Sequence, residues 1–215
     1  MKLLKLLVAS AVIYSCQSPA IVDKPITFDQ TRRELSLQYL KEHHGLEMDE
    51  PVIDPKMIVV HWTGSGTFEQ LFKTFDPPEL AGRPGITSAS SLNVSSQFSI
   101  DRDGTIYQLL PDTVFARHVI GLNYCAIGIE NVGDGDQFPL TDAQLRSNEK
   151  LIRYLKEKHP EIEYLIGHYE YNDFRSHPLF KETDATYRTE KTDPGQEFMQ
   201  KLRTNLKELN LKGTP

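Results

Sequence analysis

The sequence predicts an α/β fold, a mixed central β-sheet flanked by helices in a single domain, and three observations carry that reading. Short apolar, β-branched runs are interleaved with segments whose apolar residues recur at helical spacing. Two of the runs flank Arg102-Asp103-Gly104, an Asp-Gly turn that joins antiparallel strands in a hairpin, so the sheet mixes strand directions. The chain has 215 residues, 39% of them hydrophobic, with nine Tyr and ten Phe, which is material for one sizeable core.

The N-terminus stands apart from that fold. Met1 to Lys5 holds two lysines and Leu6 to Tyr14 is a short apolar stretch, the pattern of an export signal over residues 1–15. A permanent membrane span needs about 20 apolar residues, more than this stretch supplies. It closes on Ile13-Tyr14-Ser15-Cys16, which is similar to the lipobox of bacterial lipoproteins, and Cys16 is expected to carry lipid as the first residue of the mature chain, the alternative being plain secretion without lipid. Residues 16–28 are polar and interrupted by Pro19 and Pro25, and read as a tether leading to a domain over residues 29–212.

Asp29 to His44 places Leu35, Tyr39 and Leu40 among charged residues and stops at Gly45, as an amphipathic helix with a glycine cap does. Met57-Ile58-Val59-Val60 is an uncharged buried strand that delivers His61 at its end. Thr67 to Phe75 reads as a short helix, followed by a Pro/Gly loop from Asp76 to Ile86. The hairpin pairs Ser96–Ile100 with Thr105–Leu109, and Ala126 to Val132 is a further strand. Thr141 and Gln144 form a capping box opening a helix whose apolar face is Leu145, Leu151, Ile152 and Leu155. Tyr164 to Gly167 is a strand delivering His168, and Phe198, Leu202, Leu206 and Leu209 mark a last helix after Pro194-Gly195.

Composition narrows the function. With 24 Lys+Arg against 30 Asp+Glu the formal net charge is -6, and removal of Lys2 and Lys5 with the signal leaves 22 against 30, or -8. No basic cluster is available to neutralise phosphates, so no nucleic-acid partner is expected, and membrane attachment would rest on lipid. Only Cys16 and Cys125 are present, which excludes a disulfide framework; Cys125 reads as a small buried hydrophobe.

Two histidines, His61 and His168, each directly follow a short strand, and Asp193 precedes the last helix. Groups fixed at the ends of rigid elements have the small positional error that a metal centre demands, and two His plus one Asp leave a fourth position open on a zinc ion. Each residue also has an ordinary role: the histidines as hydrogen-bonded core residues, Asp193 as an N-cap with Pro194 at the first helical position.

The segments Ile58-Val59-Val60-His61-Trp62-Thr63, Val94 to Ile106, Ala116-Arg117-His118, Ala126-Ile127-Gly128-Ile129-Glu130, Ile166-Gly167-His168 and Lys191-Thr192-Asp193-Pro194-Gly195 occur in one order over residues 57–198. In that order they resemble the type 2 N-acetylmuramoyl-L-alanine amidases, zinc hydrolases of bacterial cell wall similar in fold to phage lysozyme-amidases and animal peptidoglycan recognition proteins. The resemblance implies a single-domain amidase fold, Zn²⁺ held by His61, His168 and Asp193, Glu130 as general base, and Lys191 facing the scissile carbonyl. It also places His118 and Trp62 on the substrate groove, with peptidoglycan and muropeptides as partners of a monomeric, periplasm-facing lipoprotein of the cell envelope, expected at the outer membrane. Some relatives have Cys at the Asp193 position and non-enzymatic ones commonly lose it, so the intact acid favours an enzyme. Two departures favour the alternative, a non-catalytic peptidoglycan-binding lipoprotein: Ser96 and Gln97 stand where relatives have Tyr and His. The aromatic stretch Tyr169, Tyr171, Phe174, His177, Phe180 and Tyr187 reads either as a groove wall or as a loop packed on its own core.

Overall fold

The computed structural model describes residues 18–64, 66–82 and 89–215, so the expected signal over residues 1–15 and the lipid-bearing Cys16 lie outside the described residues. Six strands, β1 (Ile21–Asp23), β2 (Met57–Trp62), β3 (Phe98–Ile100), β4 (Ile106–Gln108), β5 (Ala126–Asn131) and β6 (Tyr164–Gly167), form one sheet in the order β1-β4-β3-β5-β2-β6. The helices are α1 (Gln30–His44), α2 (Phe68–Phe75), α3 (Asp142–Lys158) and α4 (Gln196–Asn205), with 3₁₀ turns at Asn123–Cys125, His168–Phe174 and Lys207–Leu209. Among the described residues no helix is long and apolar enough to cross a membrane.

β2 lies inside the sheet, parallel to β5 on one side and to β6 on the other. Its residues are covered on both faces, which explains why the run is apolar throughout rather than alternating. Ile58 and Val60, with Ile127, Ile129 and Leu165, face a core completed by Tyr39 and Leu40 of α1, Leu151, Ile152 and Leu155 of α3, and Met199 and Leu202 of α4. Met57, Val59, Ala126 and Ile166 face the other way, against Val119, Leu122, Tyr171 and Phe174. Each fully buried side chain of this kind contributes about 1.5–3 kcal/mol of transfer free energy. The hairpin forms as β3–β4, the antiparallel pair in a sheet otherwise paired in parallel.

The caps agree with the sequence. Asp29 accepts a hydrogen bond from the Arg32 backbone N–H at the start of α1, and Gly45 ends that helix in the left-handed region at φ 64. Thr67 caps α2, and Thr141 with Gln144 forms the reciprocal capping box of α3.

Of the expected tether over residues 16–28, the described part packs on the domain rather than hanging free: Ile21–Asp23 pairs with β4 as an edge strand, and Ile26 is buried against Phe68, Leu71 and Phe75. Arg32, fully buried, ties the same region down through donations to the carbonyls of Thr27, Phe75, Asp76 and Pro77. Its burial lowers the guanidinium to about 10, with Asp76 pulling the other way.

Candidate metal centre

Side chains alternate along a strand, so Met57, Val59 and His61 share one face of β2. In the register His61↔Glu130 the adjacent strand puts Ala126, Gly128 and Glu130 on the same face, and Tyr164, Ile166 and His168 follow on β6 and its extension. The end of that face is where the chemistry gathers. His61 Nδ1 lies 2.9 Å from His168 Nδ1 and 3.3 Å from Asp193 Oδ2, and His168 Nδ1 lies 3.0 Å from the same oxygen. All three residues are buried.

These three atoms converge on one point. A proton can bridge one pair of them at a time, whereas a cation satisfies all three lone pairs together. Tetrahedral zinc with bonds of about 2.0–2.1 Å spaces its ligands about 3.3 Å apart, so a triangle of this size and a donor set of two imidazoles and a carboxylate fit such an ion. Burial raises the Asp193 carboxyl, but the adjacent imidazoles of His168 and His61 outweigh it and hold the group well below the usual carboxylate range. Burial, then the neighbouring His61, push His168 down to about 4, so it stands neutral at pH 7 with a lone pair to give.

Each donor is held from behind. Asn131 Nδ2 donates to the His61 carbonyl, and Asn148 Nδ2 donates in turn to Asn131 Oδ1. Gln144 Nε2 donates to the carbonyls of Ile100 and Val132, tying α3 to the same strand ends. Glu170 accepts from the Gly167 N–H and pairs with Arg203, fixing the turn that begins at His168. Asp193 is not an N-cap: Gly195 occupies that position, so the Asp193 side chain is left for the histidines, and its carbonyl accepts from the Tyr169 N–H.

The triad lines a cavity of about 340 Å³, whose walls also include Glu130, Lys191, Trp62 and His118. Lys191 forms no ion pair among the described residues. The Trp62 ring packs over Gly135, where a Cβ would come within 2.2 Å of the indole, and lies 3.5 Å from the Cβ position of Gly195. His118, expected on the groove, also bonds behind the metal centre: its Nδ1 is 3.0 Å from His61 Nε2 and its Nε2 is 3.2 Å from the Ala126 carbonyl oxygen. Burial, then His61, push His118 well below its usual range.

Of the two readings of the aromatic stretch, core packing holds for Tyr171 and Phe174, while Tyr187 lines the cavity with Arg117 donating to its hydroxyl. Ser96 and Gln97 point elsewhere than the cavity: Ser96 donates to the Phe98 carbonyl, and Gln97 links the Val114 carbonyl to the Gly128 N–H. Cys125 is buried, and that burial pushes its thiol up to about 12. Of the supporting residues, Gln144 is read from the sequence only as the capping partner of Thr141, and Asn148 is not singled out. The signal was present, because they continue the apolar stripe of Leu151 and Leu155 at helical spacing, and polar residues on such a stripe need partners.

No curated protein sequence matches the chain. Among solved structures it is similar to the endolysin N-acetylmuramoyl-L-alanine amidase LysCS from Clostridium intestinale, with 22% identity and a TM-score of 0.56 over 92% of this chain and 100% of that one. A selenomethionine derivative of AmpD aligns at 25% identity and a TM-score of 0.50, covering 71% and 84% of the two chains. Human PGRP-IBETAC, solved in complex with a muramyl pentapeptide, aligns at 18% and a TM-score of 0.50 over 74% and 89%, which shows a shared fold. The sequence profile of one family spans residues 51–196 and so includes every donor of the triad, and the chain belongs to the N-acetylmuramoyl-L-alanine amidase family.

Proposed function

We propose that the chain is a zinc-dependent hydrolase of peptidoglycan that cleaves the amide between N-acetylmuramic acid and the L-alanine of the stem peptide, in wall turnover or remodelling. The observation that carries it is the convergence of His61 Nδ1, His168 Nδ1 and Asp193 Oδ2 in a cavity lined also by Glu130 and Lys191, in a chain of the amidase family. Zinc held by these three donors would supply Lewis-acid polarisation of the scissile carbonyl and a more acidic water. Glu130 is then the base that removes a proton from the attacking water and returns it to the departing alanine nitrogen. Lys191 offers a fixed positive charge to the oxygen on which negative charge develops. Trp62 forms an apolar wall beside them. The test is zinc content of the purified protein together with mass spectrometry of a muramyl peptide incubated with it. One zinc per chain with separate sugar and L-Ala-terminated peptide is expected. Zinc with intact substrate would instead support a peptidoglycan-binding protein, and no zinc would return His61, His168 and Asp193 to packing roles.

The proposed location is the cell envelope, facing the periplasm and anchored by lipid on Cys16, most simply at the outer membrane. Its support is the signal-like sequence of residues 1–15 and the Ile13-Tyr14-Ser15-Cys16 motif. Membrane fractionation tests it: Cys16→Ser should move the protein to the soluble fraction, and an unchanged membrane fraction would reject the anchor.

A further inference from the structure

We infer that His118 is a positioning residue whose hydrogen bonds set which nitrogen of His61 is offered to the metal; the inference rests on the reading of His61, His168 and Asp193 as a zinc site. The geometry fixes the protons one after another. The Ala126 carbonyl oxygen can only accept, so the His118 nitrogen 3.2 Å from it, Nε2, carries hydrogen. In neutral His118 that leaves Nδ1 bare, as an acceptor. The group within 3.0 Å of it is His61 Nε2, which must therefore be the protonated nitrogen of His61. His61 Nδ1 is then the bare one, and it is the atom that meets His168 and Asp193. A backbone carbonyl thus sets the tautomer of a metal ligand through two imidazoles, the role that carboxylates or carbonyls more often play directly.

The surroundings hold His118 in that pose. Its backbone N–H donates to Asn123 Oδ1 at 2.8 Å, as does that of Val119 at 2.7 Å. Its ring lies edge-on to His61, with centroids 5.1 Å apart and an interplanar angle of 89°. It also rests directly on β5 at Gly128, where a Cβ would come within 2.9 Å of the imidazole. A glycine inside a buried strand is otherwise a weakness, and a close approach of this kind is a reason to keep it. His118 therefore lines the groove with a ring whose two nitrogens are both engaged within the protein.

The test uses the full chain stripped of metal by a chelator and labelled with ¹⁵N-histidine. Two-bond ¹⁵N–¹H correlation should show His61 and His118 both protonated at Nε2; a His61 protonated at Nδ1 instead overturns the inference. Zinc competition against a chromophoric chelator gives the second readout. His118→Leu should weaken zinc binding by about 10–100-fold, the usual effect of losing a partner behind a ligand. His118→Asn, which keeps an acceptor oxygen at the place of Nδ1, should restore most of that loss. Tight zinc binding by the wild type with unchanged affinity in His118→Leu refutes the role of His118 alone, whereas failure of the wild type to bind zinc refutes the metal reading itself.

Discussion

Acidification should destabilise the fold through one buried histidine at the C-terminus of α1. His44 Nδ1 donates to the Lys181 carbonyl at 2.9 Å, while Nε2 is buried with no hydrogen-bond partner among the described residues, and the ring packs on Phe115 and Tyr124. Protonation would place a charged N–H in that apolar wall. Burial accordingly lowers the group from 6.5 to about 4. Between those values the unfolded chain holds the proton and the folded one does not, so stability falls as pH falls from 6.5 and levels off below about 4. At 1.36 kcal/mol for each pH unit the full loss is about 3 kcal/mol, and most of it is reached by pH 4.5. His43 acts in the opposite sense. Burial opposes its charge, but the Glu182 carboxylate and the Ala89 carbonyl accept from its two nitrogens and raise it, so its contribution is present below pH 6.5 and fades as pH rises through the raised value. The assay is urea unfolding at pH 7 and pH 4.5, with chelator present throughout so that metal affinity does not enter. His44→Asn keeps a donor near the Nδ1 position and cannot titrate, so its stability should drop less than the wild type's between the two pH values by about 2–3 kcal/mol. Equal drops in the two proteins would refute the assignment of a neutral buried His44.

Glu130→Gln should retain zinc while lowering turnover of a muramyl peptide by about 10²–10⁴-fold, the range for loss of a positioned base. Full activity in that variant, checked by a mass-spectrometric time course, would remove Glu130 from the mechanism. Gly135→Ala should lower stability by about 1–3 kcal/mol, because the new Cβ meets the Trp62 ring at 2.2 Å and the backbone stands at φ 77. It should also raise KM more than it lowers kcat, since Trp62 is a wall of the cavity and is not one of the three groups proposed to hold zinc. Thermal unfolding and steady-state kinetics check the pair, and a change confined to kcat would show that Trp62 does more than line the groove.

The sheet was legible where burial is continuous and local. Met57–Val60, Ala126–Ile129 and Tyr164–Gly167 are short apolar runs because both faces of those strands are covered, and the Asp-Gly turn marked the hairpin. β1 was not legible: Ile21-Val22-Asp23 is too short for a period, and its strand character comes from the edge of β4, more than eighty residues away in sequence. Asp193 was ambiguous for a similar reason. Asp-Pro-Gly suits an N-cap as well as a ligand, and only the fold, with Gly195 at the cap position at φ 91, removes the first of these. The second bond of His118 depends on a missing Cβ at Gly128, a relation that no spacing along the chain records.

What assembles the centre is strand register. His61, Glu130 and His168 share a face because Met57 pairs with both Ala126 and Tyr164, which keeps the parity of all three strands equal. A slip of one residue in β5 would turn Glu130 away from the cavity and exchange the two sets of core residues, replacing Ile127 and Ile129 by Gly128 and a carboxylate. The register that aligns Glu130 with His61 is therefore the one that the core enforces on both faces. The Asn131–Asn148 bond to α3 adds a polar constraint at the same strand ends, where a buried amide left without its partner would cost about 1–3 kcal/mol. Asp193 lies outside this scheme, arriving on the loop before α4, and its position depends on Tyr169 and the two histidines rather than on the sheet. The two histidines at the ends of β2 and β6 are thus placed by the sheet and Asp193 by a local loop, so changes in that loop should move Asp193 without disturbing the core.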